Sequence, residues 1–369
     1  MIYFVFFILL LLSLSSSSFA DETILATDKT HVTLLGRPYL PTNGGVGLSW
    51  LGSGIRVSHT GYALRATFAI SKTSLKVTFT QSNAGVQHFQ GNSWVAATGS
   101  QETITIGSGS GMIDMVLNMP PQYFESSTGN ATLLSLTSLG GIFNSAPSSP
   151  SRIFHILGDS ITASTNIHGG TLSCADEGYE ADYSASWGGI LCLFFDASCS
   201  TIAVGGKCLL DECGGTQMQE YYQKERMIDT GNTFNFVADQ AHPPVAFLSY
   251  LGTNDARMNL WPTFTQEYLK LFKNVTVDYY PKANVTFFLI LGPMAPITPA
   301  AAHVAAVEQG IAAGYRVVLV NATTACTPNL EGCFDGCATH PGVGSHRSIA
   351  RITAPIIATT MGWEMPGTL

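Results

Sequence analysis

The hydrophobic pattern of the chain changes at a Pro/Ser-rich stretch over residues 144–151. Before this stretch, short segments alternate apolar and polar residues, Gly, Ser and Asn separate them, and no helical period appears. Several short strands at this spacing predict a β-sandwich, which we expect to be of the jelly-roll type. The predicted strands are His31–Leu35, Ile55–His59, Tyr62–Ala69, Leu75–Thr80, Glu102–Ile106 and Met112–Asn118.

After the stretch, compact apolar runs alternate with segments of helical length. The runs are Ile153–Leu157, Thr201–Val204, Val245–Leu251, Val285–Leu291 and Arg316–Val320. Such runs are typical of strands buried on both faces, and the alternation predicts βαβ units. We therefore predict two domains, a β-sandwich over residues 21–147 and a three-layer α/β domain with a five-stranded parallel sheet over residues 151–369.

The charge composition limits the partners of the protein. Only 11% of the residues are charged, and 17 basic against 25 acidic side chains give a formal charge of −8. No run rich in Lys or Arg occurs, so phosphate backbones and anionic lipids are repelled. We expect no nucleic-acid partner, no stable membrane association and a monomeric protein.

The first twenty residues have the pattern of a signal peptide. Ile2–Leu12 is an unbroken apolar run, followed by Ser13–Ser18 and a small-residue exit at Ala20. The run is shorter than the ~18–20 apolar residues that a membrane span needs, although an N-terminal anchor stays an alternative. We predict a signal peptide over residues 1–20, with Asp21 as the first residue of an extracellular protein.

The cysteines agree with export. An even number of cysteines in an exported protein indicates disulfides rather than a zinc site, and the sequence leaves their pairing open. The eight cysteines are Cys174, Cys192, Cys199, Cys208, Cys213, Cys326, Cys333 and Cys337. N-glycosylation is expected at Asn130, Asn274, Asn284 and Asn321, which lie in Asn-X-Ser/Thr sequons.

Polar residues and glycines follow three of the predicted parallel strands. The first strand ends in Gly158-Asp159-Ser160, the second in Gly205-Gly206, and the third in Gly252-Thr253-Asn254-Asp255. Far downstream, His340 precedes a last helix that starts near Val343. Because ligands of such sheets bind beyond the carboxyl ends of the strands, we expect these residues to lie together.

These residue types suit acyl transfer through a serine nucleophile. A hydroxyl such as that of Ser160 is a poor nucleophile until a base takes its proton, and His340 is the base offered. The Ser160 N–H, the Gly206 N–H and the Asn254 side-chain amide are candidate donors to the developing oxyanion. This chemistry needs no metal and no organic cofactor.

Four sequence blocks carry a resemblance to a known family. They are Gly158-Asp-Ser-Ile-Thr-Ala163, Leu251-Gly-Thr-Asn-Asp255, Tyr280-Pro-Lys-Ala-Asn284 and Leu48-Ser-Trp-Leu-Gly-Ser-Gly54. With them the chain resembles the SGNH (GDSL-type) hydrolases, most closely carbohydrate esterase family 2, whose members join an N-terminal jelly roll to an SGNH domain. The resemblance implies a secreted serine esterase that removes acetyl groups from a polysaccharide such as xylan or glucomannan.

The chain departs from the family pattern at two places. Many SGNH enzymes carry the triad aspartate three residues before the histidine, where this chain has Cys337. Asp335, five residues before His340, is the candidate orienting acid, and the alternative is a backbone carbonyl, as also found among family 2 esterases. The family oxyanion block resembles Ser-Gly-X-Gly, so that Gly206 fits the pattern better than Gly205.

Further residues have a functional and a structural interpretation. Trp187 and Trp261 are candidates for stacking on sugar rings, with core packing as the alternative. Asp159 and Asp255 are better interpreted as hydrogen-bond acceptors that order loops than as catalytic acids.

Two more histidines are near the site in sequence. We expect His346, six residues after His340, to be a surface residue. His168 is a weaker candidate for the base, since nothing in the sequence around it orients its ring.

Two other functions stay open. One is a lipase or lysophospholipase of the same fold, and the other is a catalytically silent carbohydrate-binding or cell-surface protein. The complete set of Ser160, Asn254 and His340 argues against the second.

Overall fold

A computed structural model describes residues 20–70, 74–83, 86–96, 101–120, 131–168, 180–213, 215–231, 233–257, 261–294, 300–326, 336 and 340–369. The predicted signal peptide lies outside the described residues, apart from Ala20. Five other residues of the sequence analysis also lie outside them: Asn130, Cys174, Cys333, Asp335 and Cys337.

Among the described residues, ten strands precede residue 140. They are β1 (Glu22–Leu25), β2 (Val32–Leu35), β3 (Val46–Leu48), β4 (Gly54–His59), β5 (Ala63–Ile70), β6 (Leu75–Asn83), β7 (Val86–Val95), β8 (Gln101–Ser108), β9 (Gly111–Leu117) and β10 (Ala131–Leu139). One antiparallel sheet has the order β1-β10-β5-β8, with β3 also paired to β10, and the other has the order β2-β4-β9-β6-β7.

Apolar side chains from both sheets form one core between them. Leu64 and Phe68 of β5 and Val57 and Met115 of β4 and β9 are fully buried in it. The two-sheet sandwich and all six predicted strands are confirmed, while the jelly-roll topology stays a prediction. Four strands were not predicted from the sequence: β1 and β3, which are short, β7, which is polar, and β10.

The second half of the chain forms a five-stranded parallel sheet. Its strands are β11 (Arg152–Gly158), β12 (Ala197–Ala203), β13 (Ala246–Tyr250), β14 (Thr286–Leu291) and β15 (Arg316–Asn321). Their order is β12-β11-β13-β14-β15, and every neighbouring pair is parallel. All five predicted runs are therefore confirmed as strands of one sheet.

Helices cover both faces of this sheet. They are α1 (Trp187–Phe194), α2 (Met218–Tyr222), α3 (Phe236–Asp239), α4 (Thr253–Arg257), α5 (Trp261–Lys273), α6 (Ala300–Ala312) and α7 (Val343–Met361). Side chains of α1 and α7 share one core with one sheet face, and side chains of α5 and α6 share another core with the opposite face. This is the expected three-layer arrangement.

The segment between β3 and β4 joins the sandwich to the α/β layers. Leu51 forms a bridge to Thr201 of β12, and the Trp50 indole N–H donates to the Lys224 carbonyl at 3.2 Å. Both Trp50 and Leu51 are fully buried. The block Leu48–Gly54, noted above for its resemblance, is thus part of the joint between the two halves.

Disulfides connect nearby cysteines of the α/β half. Cys192 pairs with Cys199 and Cys208 pairs with Cys213, while Cys326 is also disulfide-bonded. The prediction of disulfides is confirmed for these five residues. Within the described residues, no helix has the length and apolar character needed to cross a bilayer.

Candidate active site

The candidate site lies where the order of the parallel strands reverses. β11 is followed along the chain by β12 on one side and by β13 on the other. Because their connections diverge to opposite sides, a crevice opens beyond the carboxyl ends of β11 and its neighbours. Ser160, Gly206 and Asn254 follow these strands, and His340 comes from the segment before α7.

A tight turn directly after β11 presents Ser160. A side-chain carbon on Gly158 would lie 1.9 Å from the Thr162 hydroxyl oxygen, so only glycine allows this close approach. The fully buried Asp159 accepts a hydrogen bond from the Ile161 N–H at 3.0 Å. Asp159 thus orders the turn, as expected, and the Ser160 side chain stays partly exposed.

His340 meets the serine at this turn. Its Nε2 lies 2.9 Å from the Ser160 Oγ, although the two residues are 180 positions apart in the chain. The imidazole is partly buried and lies just before α7. At this distance Nε2 can accept the hydroxyl proton when Oγ attacks an electrophile.

Asn254 and the loop after β12 lie beside the serine turn. The Asn254 side-chain amide donates to the Lys207 carbonyl at 2.9 Å and makes a long contact of 3.5 Å with Asp159 Oδ2. Gly206 is exposed and has a φ of +74°, a left-handed conformation that favours glycine. A side-chain carbon on Gly206 would have no neighbour within 4 Å, so its backbone is open to an approaching ligand.

Asp255 fixes the same loop from the other side. Its two carboxylate oxygens accept hydrogen bonds from the backbone N–H groups of Leu209 and Leu210, at 3.2 and 3.0 Å. The carboxylate is fully buried and cannot reach a substrate. The expectation that Asp255 orders a loop is confirmed.

His346 is buried, and the expectation of a surface residue is wrong. Its Nδ1 accepts a hydrogen bond from the Trp187 N–H at 3.2 Å, and its side chain also bonds the Pro341 carbonyl. Burial, followed by the charge of His340, lowers the pKa of His346 to about 3. The sequence held a signal for this, because His346 precedes the buried Ile349 and Ala350 by three and four residues and so shares their helix face.

The two tryptophans proposed for sugar stacking have different outcomes. Trp187 has no exposed surface and packs in the core, with its ring centroid 6.1 Å from that of Tyr250. It cannot stack on a sugar, because the first residue of α1 points its side chain at the sheet. Trp261 begins α5, and its side chain lies outside the described residues.

His168 has an orienting partner that the sequence around it did not indicate. Its Nε2 lies 3.0 Å from Oδ2 of Asp182, fourteen residues further along the chain. The contact to Ser160 Oγ belongs to His340, so the geometry does not favour His168 as the base.

Several solved structures that resemble this chain are carbohydrate esterases. A family two carbohydrate esterase from Clostridium thermocellum, in complex with cellohexaose, matches with a TM-score of 0.74 at 19% identity, over 90% of this chain and 100% of that chain. A carbohydrate esterase family 2 enzyme with a carbohydrate-binding domain, from Corynascus thermopiles (Myceliophthora fergusii), matches with a TM-score of 0.70 at 22% identity, over 90% of this chain and 100% of that chain. The acetyl xylan esterase Est2A from Butyrivibrio proteoclasticus matches with a TM-score of 0.74 at 14% identity, over 93% of this chain and 100% of that chain.

These matches establish that the chain has the fold of carbohydrate esterase family 2 enzymes over nearly its whole length. The resemblance inferred from the four sequence blocks is confirmed at the level of the fold. No family model matches the sequence, and no curated protein matches it either.

Proposed function

We propose that this chain is a serine ester hydrolase that removes O-acetyl groups from a polysaccharide such as xylan or glucomannan. The observation that carries the proposal is the 2.9 Å contact between Ser160 Oγ and His340 Nε2 beyond the carboxyl end of the central strand. Ser160 is the nucleophile, and His340 is the base and later the acid. The Ser160 N–H, the Gly206 N–H and the Asn254 amide are the donors to the oxyanion.

The reaction proceeds through an acyl-enzyme. Ser160 Oγ attacks the acetyl carbonyl carbon while His340 Nε2 takes the hydroxyl proton, and the carbonyl oxygen becomes an oxyanion held by the three donors. The C–O bond to the sugar then breaks, and His340 gives its proton to the leaving sugar oxygen. Water gives a proton to His340 and attacks the carbonyl carbon of the acetyl-serine. The bond from that carbon to Ser160 Oγ then breaks, and His340 returns the proton to Oγ, which releases acetic acid and free Ser160.

Two features support a polysaccharide substrate. The fold is shared with carbohydrate esterases, including an acetyl xylan esterase. A surface with few charges suits a neutral, hydroxylated polymer better than an ionic one. We further propose an extracellular location, which the disulfides support, with glycans at exposed sequons such as Asn284 and Asn321.

Asp335 is proposed as the residue that orients His340, with a backbone carbonyl as the alternative. Asp335→Ala distinguishes the two. Loss of a triad carboxylate lowers kcat by at least roughly a hundredfold, whereas a histidine held by a carbonyl would leave kcat within about tenfold.

The test of the function uses purified protein with p-nitrophenyl acetate and acetylated xylan. Ser160→Ala and His340→Ala should each remove nearly all turnover, because nucleophile and base act as one unit. Ser151→Ala and His242→Ala, at exposed positions of the same half of the chain, are the matched controls and should keep wild-type rates. If Ser160→Ala kept more than a few per cent of kcat, the assignment would be wrong.

Acyl length separates a deacetylase from a lipase of the same fold. A pocket built for one methyl group rejects longer chains, because overpacking a formed site costs about 1–3 kcal/mol. We expect kcat/KM to fall at least tenfold from acetate to butyrate esters. A rise from acetate through octanoate would support the lipase, and no hydrolysis of any ester would support a silent binding protein.

A further inference from the structure

A buried carboxylate ties the candidate active site to the sandwich. The Asp182 side chain is 8% exposed, and hydrogen-bond donors from both halves of the chain surround it. Its partners, which we call the Asp182 cluster together with Asp182, are Lys76, Asn92, Asn118, His168 and Ser184.

The sandwich supplies three of these partners. The Lys76 ammonium of β6 lies 3.3 Å from Asp182 Oδ2, and Asn92 of β7 donates to the same oxygen at 3.1 Å. Asn118, directly after β9, donates to Oδ1 at 3.0 Å. Each carboxylate oxygen is thus held by an element of the sandwich, so the position of Asp182 is fixed by the neighbouring half of the chain.

His168 is an exposed member of the cluster, as is Asn92. Its side chain is 43% exposed, and its Nε2 lies 3.0 Å from Asp182 Oδ2. Burial opposes ionisation of Asp182, but the His168 hydrogen bond and the Lys76 charge outweigh it and lower the pKa of Asp182 well below its usual value. An ionised carboxylate requires a proton on Nε2, so the neutral ring presents an unprotonated Nδ1.

The chain segment that carries His168 lies close to the segment that carries His340. A side-chain carbon on Gly336 would lie 2.6, 2.8 and 3.0 Å from the carbonyl oxygens of His340, Asn166 and Pro341. Asn166, two residues before His168, therefore packs against the backbone of the His340 segment. The charges of His340 and His168 both act on the pKa of His346, which agrees with three histidines in one small region.

We propose that His168 is a substrate-binding residue that hydrogen-bonds a sugar hydroxyl next to the acetylated position, with Asp182 and Lys76 as its positioning residues. This inference rests on the proposed function and specifies which side chain recognises the sugar. A neutral Nδ1 accepts a hydrogen bond from a hydroxyl group, and every sugar ring of an acetylated polysaccharide carries hydroxyl groups. p-Nitrophenyl acetate carries none, so its hydrolysis does not use this contact.

The test compares His168 variants on an acetylated xylo-oligosaccharide and on p-nitrophenyl acetate. His168→Phe keeps a ring but no nitrogen, and it should lower kcat/KM about tenfold on the oligosaccharide, the size of one net hydrogen bond, mainly through KM. On p-nitrophenyl acetate it should stay within about twofold of wild type. His168→Gln, whose amide can both donate to Asp182 and accept from a hydroxyl, should recover part of the lost activity.

Asp182→Asn tests the positioning role. Like His168→Phe, it should lower kcat/KM on the oligosaccharide. Adding His168→Phe to Asp182→Asn should lower it little further, because both substitutions remove the same contact. His242→Phe, at an exposed histidine of the same half of the chain, is the matched control and should leave kcat/KM unchanged on both substrates.

The outcomes separate this inference from the proposed function. If His168→Phe lowered kcat/KM equally on both substrates, or on neither, the proposed role of His168 would be wrong. The proposed function would still stand as long as the wild-type protein deacetylates the oligosaccharide. Wild-type protein that hydrolyses no acetylated sugar would overturn the proposed function and this inference with it.

Discussion

Replacing the buried His346 with Asn should reduce the decrease in the free energy of unfolding as the pH falls. The pKa of His346 is lowered to about 3 in the folded protein, whereas an unfolded histidine titrates near 6.5. Between these two pH values His346 binds a proton in the unfolded chain but not in the folded protein, so the free energy of unfolding falls as the pH falls. The contribution of His346 is fully present above pH 6.5 and is lost on the way down to pH 3.

The size of the effect follows from the gap between the two pKa values. One pKa unit corresponds to about 1.4 kcal/mol, so His346 removes roughly 2 kcal/mol of stability by pH 5 and at most about 5 kcal/mol near pH 3. His346→Asn keeps an oxygen that can accept from the Trp187 N–H but does not titrate. At pH 7 the variant should be less stable, because it loses ring packing and the bond to Pro341.

Urea unfolding at pH 7, 6 and 5 measures the prediction. The difference in free energy of unfolding between wild type and His346→Asn should shrink by about 2 kcal/mol from pH 7 to pH 5, and the carboxylates common to both proteins cancel in that difference. The exposed His242→Asn should follow wild type at every pH. Parallel profiles for wild type and His346→Asn would refute the reasoning.

Two further predictions concern one oxyanion donor and an ion pair between the neighbouring strands β4 and β9. Asn254→Ala should lower kcat by about 10²–10³ with a small change in KM, since an oxyanion donor acts in the transition state, and an unchanged kcat would remove Asn254 from the site. Arg56→Met should lower the free energy of unfolding by about 2–4 kcal/mol in urea titrations. Arg56 donates two hydrogen bonds of 2.7 Å to the Asp114 carboxylate, and the substitution leaves that carboxylate without them. The exposed Arg65→Met should stay within about 0.5 kcal/mol of wild type, and an equal loss in the two variants would contradict the ion-pair argument.

The strands of the parallel sheet were predictable because their signal is local. A run such as Phe287–Leu291 is apolar at every position, which only a strand covered on both faces requires. The residue after such a run lies at the carboxyl edge of the sheet, so Ser160 and Asn254 could be brought together without knowledge of the strand order. Strands β1 and β3 were missed because three or four residues carry too little periodic signal to separate a strand from a loop.

The errors have a different physical origin. Trp187 and His346 are residue types that occur both at surfaces and in interiors, so their identity does not decide their burial. What decides it is the packing of α1 against α7, two helices joined through the Trp187 N–H and the His346 ring. The hydrogen bond spans 159 positions in the chain, and no local pattern encodes a partner at that distance.

The same reasoning explains why the Asp182 cluster is invisible in the sequence although it is well defined in three dimensions. Lys76 and Asn92 lie on β6 and β7, Asn118 directly follows β9, and each alone has the pattern of an ordinary polar surface residue. They become partners only because the sandwich docks on the segment before α1. A buried carboxylate with an ammonium and several N–H donors is costly to leave incomplete, so its members depend on one another and on the docking. The sandwich therefore helps to fix the position of the segment before α1 through its hydrogen bonds to Asp182. Although the sequence pattern changes at the Pro/Ser stretch, the two halves of the chain depend on each other at this contact.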